Sequence, residues 1–192
     1  TRLGYNVPEE FPRLLEIFSR YPIACLTVHP RVRPEKYRGA VHMDQFALAV
    51  AESKNPVCYN GDLTSVAGVR ALEAQFPGLD AAMIGRGAIA DPALLRRLRG
   101  GSAASKEELQ AFTQELYRAY QDFYGQAAPD SQAAPASQRM KEVWFYLIHL
   151  FENGERLGGR MRRSRGPRAY EELEARIFQE LELLDAPRGE LA

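Results

Sequence analysis

The sequence predicts an α/β fold: the C-terminal half of a (β/α)8 barrel, followed by a small all-α helical bundle. Three observations predict it. Helical stripes and short apolar runs alternate from the start to about Asp91, the pattern of parallel βαβ units. Two of the runs end in polar, glycine-bearing turns, Asn60-Gly61-Asp62 and Gly85-Arg86-Gly87, about one β/α unit apart. The last two strands of a (β/α) barrel end in this way to hold a phosphate. After Gly100-Gly101-Ser102 the pattern turns to helix alone.

Each element has its own signal. Residues 8–20 place Phe11, Leu14, Leu15, Ile17 and Phe18 on one helical stripe. Residues 23–28 are continuously apolar, as in a strand buried on both faces, and a polar loop follows over residues 29–41. Residues 44–53 read as a helix with Asp44 as N-cap, and residues 57–59 as a strand. Ser65 caps a helix over 65–76, residues 81–84 form another buried strand, and Pro92 opens a helix ending at Leu98. With a strand stub at residues 1–3 this makes four strands, half of eight. The start, Thr1-Arg2-Leu3-Gly4, lacks an initiator Met and reads as cut from something longer. In the second part, residues 106–124, 139–151 and 170–184 are helical. Residues 126–138, rich in Ala, Pro, Ser and Gln, read as a linker. Gly154, Gly158 and Gly159 make the segment before the last helix a poor helix and a loop. The expected domains are 1–101 and 102–192.

Bulk properties narrow the function. The 192 residues are 45% hydrophobic with a formal net charge of zero. The chain is therefore globular, and any nucleic-acid surface must be a local patch. No apolar run is long enough to span a bilayer, and no signal-peptide pattern is present. Cys25 and Cys58 both fall in strand-like runs without metal-ligand spacing. Free, buried and reduced cysteines suit the cytosol.

Several motifs point to chemistry, and each has a plainer reading beside it. Asn60-Gly61-Asp62 alone is a common turn, and Gly85-Arg86-Gly87 alone a tight βα turn. Together at neighbouring strand ends they offer exposed N–H groups and a guanidinium to an anion. His29 follows a strand directly, either facing a ligand ring from the barrel mouth or only packing in its loop. Arg31, Arg33, Lys36 and Arg38, with Tyr37 among them, make a basic loop that could be merely solvated. Arg156, Arg160, Arg162, Arg163, Arg165 and Arg168 form a denser cluster, of the kind that meets phosphate backbones. Arg139 and Lys141 begin a helix that also carries Trp144 and Tyr146.

Taken as a set, these stretches resemble the C-terminal part of a bacterial tRNA-dihydrouridine synthase. The stretches are Thr1-Arg2-Leu3-Gly4, His29-x-Arg31 with Tyr37-Arg38-Gly39, Asn60-Gly61-Asp62, and Met83-Ile84-Gly85-Arg86-Gly87-Ala88. Arg139-Met140-Lys141-x-x-Trp144 with Tyr146 is similar to the helical domain of the C-type subfamily. The resemblance implies a flavin-dependent TIM barrel with a helical tRNA-binding domain, working in the cytoplasm. It implies FMN as cofactor and NADPH as reductant, for reduction of a uridine C5=C6 bond in tRNA. Hydride passes from flavin N5 to C6, and a cysteine protonates C5. By the same resemblance His29 sits by the flavin ring, and Asn60, Gly61 and Asp62 hold the ribityl and phosphate region. Gly85 and Arg86 bind the phosphate. Arg31 and Tyr37 lie near the target nucleotide, and Arg139, Lys141, Arg162 and Arg163 face tRNA. The uridine must leave its stack to react.

The chain also departs from the family. Pro30 stands where a smaller residue is common. The catalytic cysteine and a flavin-contacting lysine are expected upstream of Thr1, and neither Cys25 nor Cys58 matches the catalytic motif. The chain alone is therefore expected to be inactive and, with barrel edges open, to self-associate. Two other readings compete: a non-catalytic tRNA-binding module, and a fragment of another FMN barrel such as a dihydroorotate-type dehydrogenase. The helical tail argues against the latter.

Overall fold

The computed structural model describes residues 1–127 and 133–189. The chain divides into two compact units, Thr1–Gly85 and a second that begins at Arg86.

The first unit is α/β. A 3-10 turn at Pro8–Glu10 leads into α1 (Phe11–Phe18), then β1 (Leu26–Val28), α2 (Met43–Glu52), β2 (Val57–Asn60), α3 (Val66–Gln75) and β3 (Ala81–Met83). The strands pair in parallel in the order β1-β2-β3, with Thr27 opposite Cys58 and Tyr59 opposite Ala82. Residues 1–3 run beside β1 on its other edge. His29 N–H donates to the Thr1 carbonyl (2.8 Å), Leu3 N–H donates to the Arg31 carbonyl (3.1 Å), and Arg2 forms a parallel bridge with His29. Phe11, Leu15, Val28, Phe46, Val57, Tyr59 and Leu72 are buried, so the sheet and its helices share one core. Ser65 caps α3 as expected, its hydroxyl accepting from Gly68 N–H at 3.1 Å.

Several local expectations are corrected. The strand expected over 23–28 is only β1: Ala24 and Cys25 precede it and are exposed, so Cys25 is not a buried strand residue. Cys58 is buried and free. All three residues of β3 are exposed, against the expectation of a buried strand, because β3 stands at the edge of the sheet. Asp44 lies inside the first turn of α2 and His42 takes the N-cap position.

The second unit is helical: α4 (Arg86–Ala90), α5 (Leu94–Leu98), α6 (Lys106–Ala127), α7 (Ala133–Leu147), α8 (Glu155–Arg163) and α9 (Gly166–Glu180), with a 3-10 turn at Ile148–Leu150. Its core gathers Leu109, Met140, Trp144, Leu147, Phe151, Met161, Tyr170, Ile177 and Phe178. The expected linker over 126–138 is mostly replaced by helix, since α6 continues to Ala127 and α7 begins at Ala133; residues 128–132 lie outside the described residues. The glycine-rich segment expected as a loop is α8. A Cβ on Gly154 or Gly158 would lie 2.9 or 3.0 Å from the Ile148 side chain. The glycines thus let α8 pack tightly on the preceding turn, and packing outweighs their low helix propensity. α4 was expected only as a turn. Asp91 ends it by accepting from Ala93 N–H (3.0 Å) and pairing with Arg97 (2.7 Å), which starts α5.

Candidate functional site

In a parallel sheet, ligand-binding groups gather where strand carboxyl ends release the chain. His29 leaves β1 and Asn60-Gly61-Asp62 end β2, so these residues sit at the same end of neighbouring strands. An ion pair with a buried cation and a half-exposed carboxylate ties the two strand ends together. The Arg31 guanidinium, 1% exposed, meets the Asp62 carboxylate with both nitrogens, at 3.0 and 2.5 Å. It also donates to the carbonyls of Arg38 (3.3 Å) and Gly39, and lies 3.4 Å from His29 Nε2. A guanidinium only donates, so this arrangement calls for a neutral His29 ring with its proton on Nδ1. The bonds from Asp62 hold the Arg31 guanidinium above its ordinary pKa, against the opposing effect of burial. The fold therefore turns Arg31 inward, while Arg33, Lys36 and Arg38 remain exposed.

The rest of the loop is built around that pair. Tyr37 stacks on His29 with centroids 5.8 Å apart and planes 28° from parallel, and the Arg2 guanidinium lies 5.6 Å from the Tyr37 ring. Tyr37 is 54% exposed. Gly39 has φ 72°, a left-handed conformation that favours glycine, and its carbonyl reaches Arg31. Glu35 accepts from Val32 N–H (2.7 Å) and from His42 Nε2 (2.7 Å), closing the loop on itself. Burial pushes the Glu35 carboxyl up, but the bonds from His42 and Val32 outweigh it and the net shift is downward. The Glu35–His42 clasp has no signature in the sequence, because six residues of irregular loop lie between the partners. Gly61 is required sterically: a Cβ there would lie 2.1 Å from the Tyr59 hydroxyl oxygen. Burial raises the Tyr59 pKa, keeping it a neutral phenol. Cys58 is likewise held up by burial and stays a thiol.

Gly85 closes the first unit and Arg86 opens the second. Gly85 is exposed, and a Cβ built on it meets no atom within 4 Å. The structure thus brings His29, Arg31, Tyr37 and Asp62 into one network, while Arg86 is described within the helical unit. Among the described residues no group of three or more His, Cys, Asp or Glu side chains is placed to hold a metal ion.

In the helical unit, Lys141, Arg162, Arg163 and Arg165 line one open groove with Ser137 and Gln138. Lys141 reaches across from α7 to donate to the carbonyls of Arg162 (3.4 Å) and Ser164 (3.0 Å). This satisfies the last turn of α8 and sets a cation at its negative dipole end. Arg162 and Arg163 are exposed, and among the described residues neither has a carboxylate at ion-pair distance. Arg139 differs: it is exposed, but donates to the Tyr124 hydroxyl (3.0 Å) and to Glu142 (3.1 Å). Trp144 belongs to the core, 1% exposed, its Nε1–H donating to the Tyr170 hydroxyl at 3.3 Å.

An α/β unit with a polar network at its strand ends is thus joined in sequence to a helical unit with an open groove lined by Lys141 and three arginines. Comparison with known proteins makes this specific. A family model described as Dihydrouridine synthase (Dus) matches residues 2–149. The chain belongs to the dihydrouridine synthase family. It is 37% identical over 136 residues to a probable tRNA-dihydrouridine synthase of Rickettsia conorii, covering 66% of this chain and 40% of that protein. It is 41% identical over 87 residues to a tRNA-dihydrouridine(16) synthase of Cupriavidus necator, covering 44% and 27%. With a tRNA-dihydrouridine synthase B of Proteus vulgaris it shares 29% identity over 133 residues, covering 65% and 41%. The chain thus spans less than half the length of these curated relatives.

Proposed function

We propose that this chain is the C-terminal portion of a tRNA-dihydrouridine synthase, contributing part of a TIM-barrel FMN site and a helical tRNA-binding domain. The carrying observation is the family match over residues 2–149 together with the His29–Arg31–Asp62 network at the strand ends. Membership of this family sets aside the dihydroorotate-type alternative. Two relatives bear the name tRNA-dihydrouridine(16) synthase, which supports position 16 of tRNA as target.

The donor set suits FMN. Asn60 offers a carboxamide at the end of β2, and Gly85, exposed and with no atom within 4 Å of a built Cβ, leaves space for a close backbone approach. When bound, the flavin supplies the hydride that reduces the uracil ring, with NADPH as its reductant. The chain's own residues orient and hold. Arg31 and Asp62 fix the loop, and the neutral His29 ring presents Nδ1–H while Nε2 faces Arg31. Tyr37, held against His29, offers its exposed face to the nucleotide. Arg31 serves by positioning, since its side chain is buried and engaged.

No cysteine here is placed to protonate C5. Cys58 is buried within β2, and Cys25 precedes β1, at the opposite end of the strand from His29. The chain alone therefore binds tRNA without turnover, a role that a purely tRNA-binding module would share. The exposed β3 edge supports self-association of the isolated chain. Incubation with FMN, NADPH and unmodified tRNA tests the proposal: complex formation without dihydrouridine is expected. Turnover would overturn the assignment of inactivity, and absence of any tRNA complex would overturn the proposed role.

A further inference from the structure

Beside the arginine groove, the helical unit holds a second concavity of about 300 Å³. This is the small end of the range of ligand pockets, roughly 300–1,000 Å³, and suits a single flat ring system. Gly158 and Gly159 of α8 form one side. Phe145 of α7 supplies an aromatic face on another side, with the Arg162 guanidinium 6.0 Å from its centroid. His149 and Asn153 bring polar groups to the same space. The Arg188 carbonyl accepts from His149 Nδ1 at 2.8 Å, which fixes the ring at the pocket. Asn153 is set at φ 55°, and its carboxamide can both donate and accept.

Arg162 lines both this pocket and the groove shared with Lys141 and Arg163. A guanidinium held over an aromatic ring and polar groups for a ring edge form a combination that can hold an unstacked base, which stacks on guanidinium planes as well as on rings. The adjoining cations fit the phosphates that accompany such a base, whereas an apolar peptide would leave them unused. We propose that the pocket takes one unstacked nucleobase of an RNA strand whose phosphates lie along the Lys141–Arg163 groove. The inference rests on the tRNA-binding reading above and adds a base-accepting site in the helical unit.

The chain has a single tryptophan, Trp144, and it lines this pocket. Its emission therefore reports on occupancy separately from phosphate contacts. The test titrates the chain with a short single-stranded RNA and with an abasic RNA strand of equal length, at two salt concentrations. The base-bearing strand binds about tenfold tighter, as one stacked base provides, and it alone changes Trp144 emission. Phe145→Leu, which keeps apolar volume but removes the ring, abolishes both differences and keeps the salt dependence; Phe145→Tyr retains them. Arg163→Gln weakens both strands equally. Equal, salt-dependent binding of the two strands with silent Trp144 overturns the base site, leaves the RNA-binding reading standing, and assigns the pocket to a protein segment. Failure of both strands to bind overturns the two readings together.

Discussion

Arg31 carries a guanidinium that is almost fully buried, while its partner Asp62 is 43% exposed. The two are therefore not equivalent under substitution. Asp62→Ala leaves a buried cation without its counter-charge and costs about 3 kcal/mol, as breaking a buried pair does. Adding Arg31→Met to that variant recovers part of the loss, because the unpaired charge is gone; urea denaturation of the single and double variants measures this. Gly61→Ala costs about 1–3 kcal/mol in the same assay, because its methyl overlaps the Tyr59 hydroxyl and the ring must move. At this scale the sequence was legible where chemistry is local. Asn60-Gly61-Asp62 and His29 stand at strand ends as read, and Ser65 caps α3. What it could not show is direction. Arg31 sits among four basic residues of one loop, and only the fold turns that one inward, because Asp62 arrives from another strand.

Among the elements, α8 shows how packing overrides propensity. Three glycines in or beside a nine-residue helix argue against helix, yet Gly154 and Gly158 are where Ile148 comes closest. Gly159 differs, because a Cβ there meets only the Arg163 guanidinium nitrogens at 3.6 Å or more, an ordinary contact. Gly159→Ala is therefore expected to stabilise the chain by about 1 kcal/mol through helix propensity. Gly158→Ala gains nothing, since its methyl presses on Ile148; melting temperatures of the two variants separate the cases. α1, α2, α3 and α6 were legible because their apolar stripes have helical period. The β-strands were legible as apolar runs, with β1 and β3 shorter than expected and β2 one residue longer. The exposure of β3 was not legible, because an edge strand and a central strand can carry the same Ala-Ala-Met.

Across the whole molecule, two kinds of electrostatics separate. Inside the helical unit, burial holds Glu174 above the usual carboxylate range, although Tyr170 and Thr113 hydrogen-bond to it and favour the charged form. The Tyr170 hydroxyl donates to it at 2.9 Å, and burial also raises the pKa of Tyr170 and pushes that of Tyr117 up to about 12. A carboxyl with a raised folded-state pKa contributes stability below its unfolded pKa, and that contribution is lost as pH rises through the folded value. Glu174→Gln is therefore expected to raise the melting temperature at pH 7 by about 2–4 °C, the shift that about 1 kcal/mol gives a chain of this size. The gain disappears at acid pH, where Glu174 is already protonated. The net charge of the chain is zero, so the proposed attraction to RNA needs a local patch, and the groove of Lys141, Arg162, Arg163 and Arg165 supplies one. Its arginines were legible as a cluster; its shape was not, since Lys141 joins from α7 by bonding the end of α8. The proposed function places tRNA along this groove, and binding of unmodified tRNA as a function of salt tests that most directly. The logarithm of the binding constant is expected to fall linearly with the logarithm of salt concentration, and the Arg162→Gln/Arg163→Gln variant to lower that slope by about 1.5. A slope unchanged in the double variant would contradict the assignment.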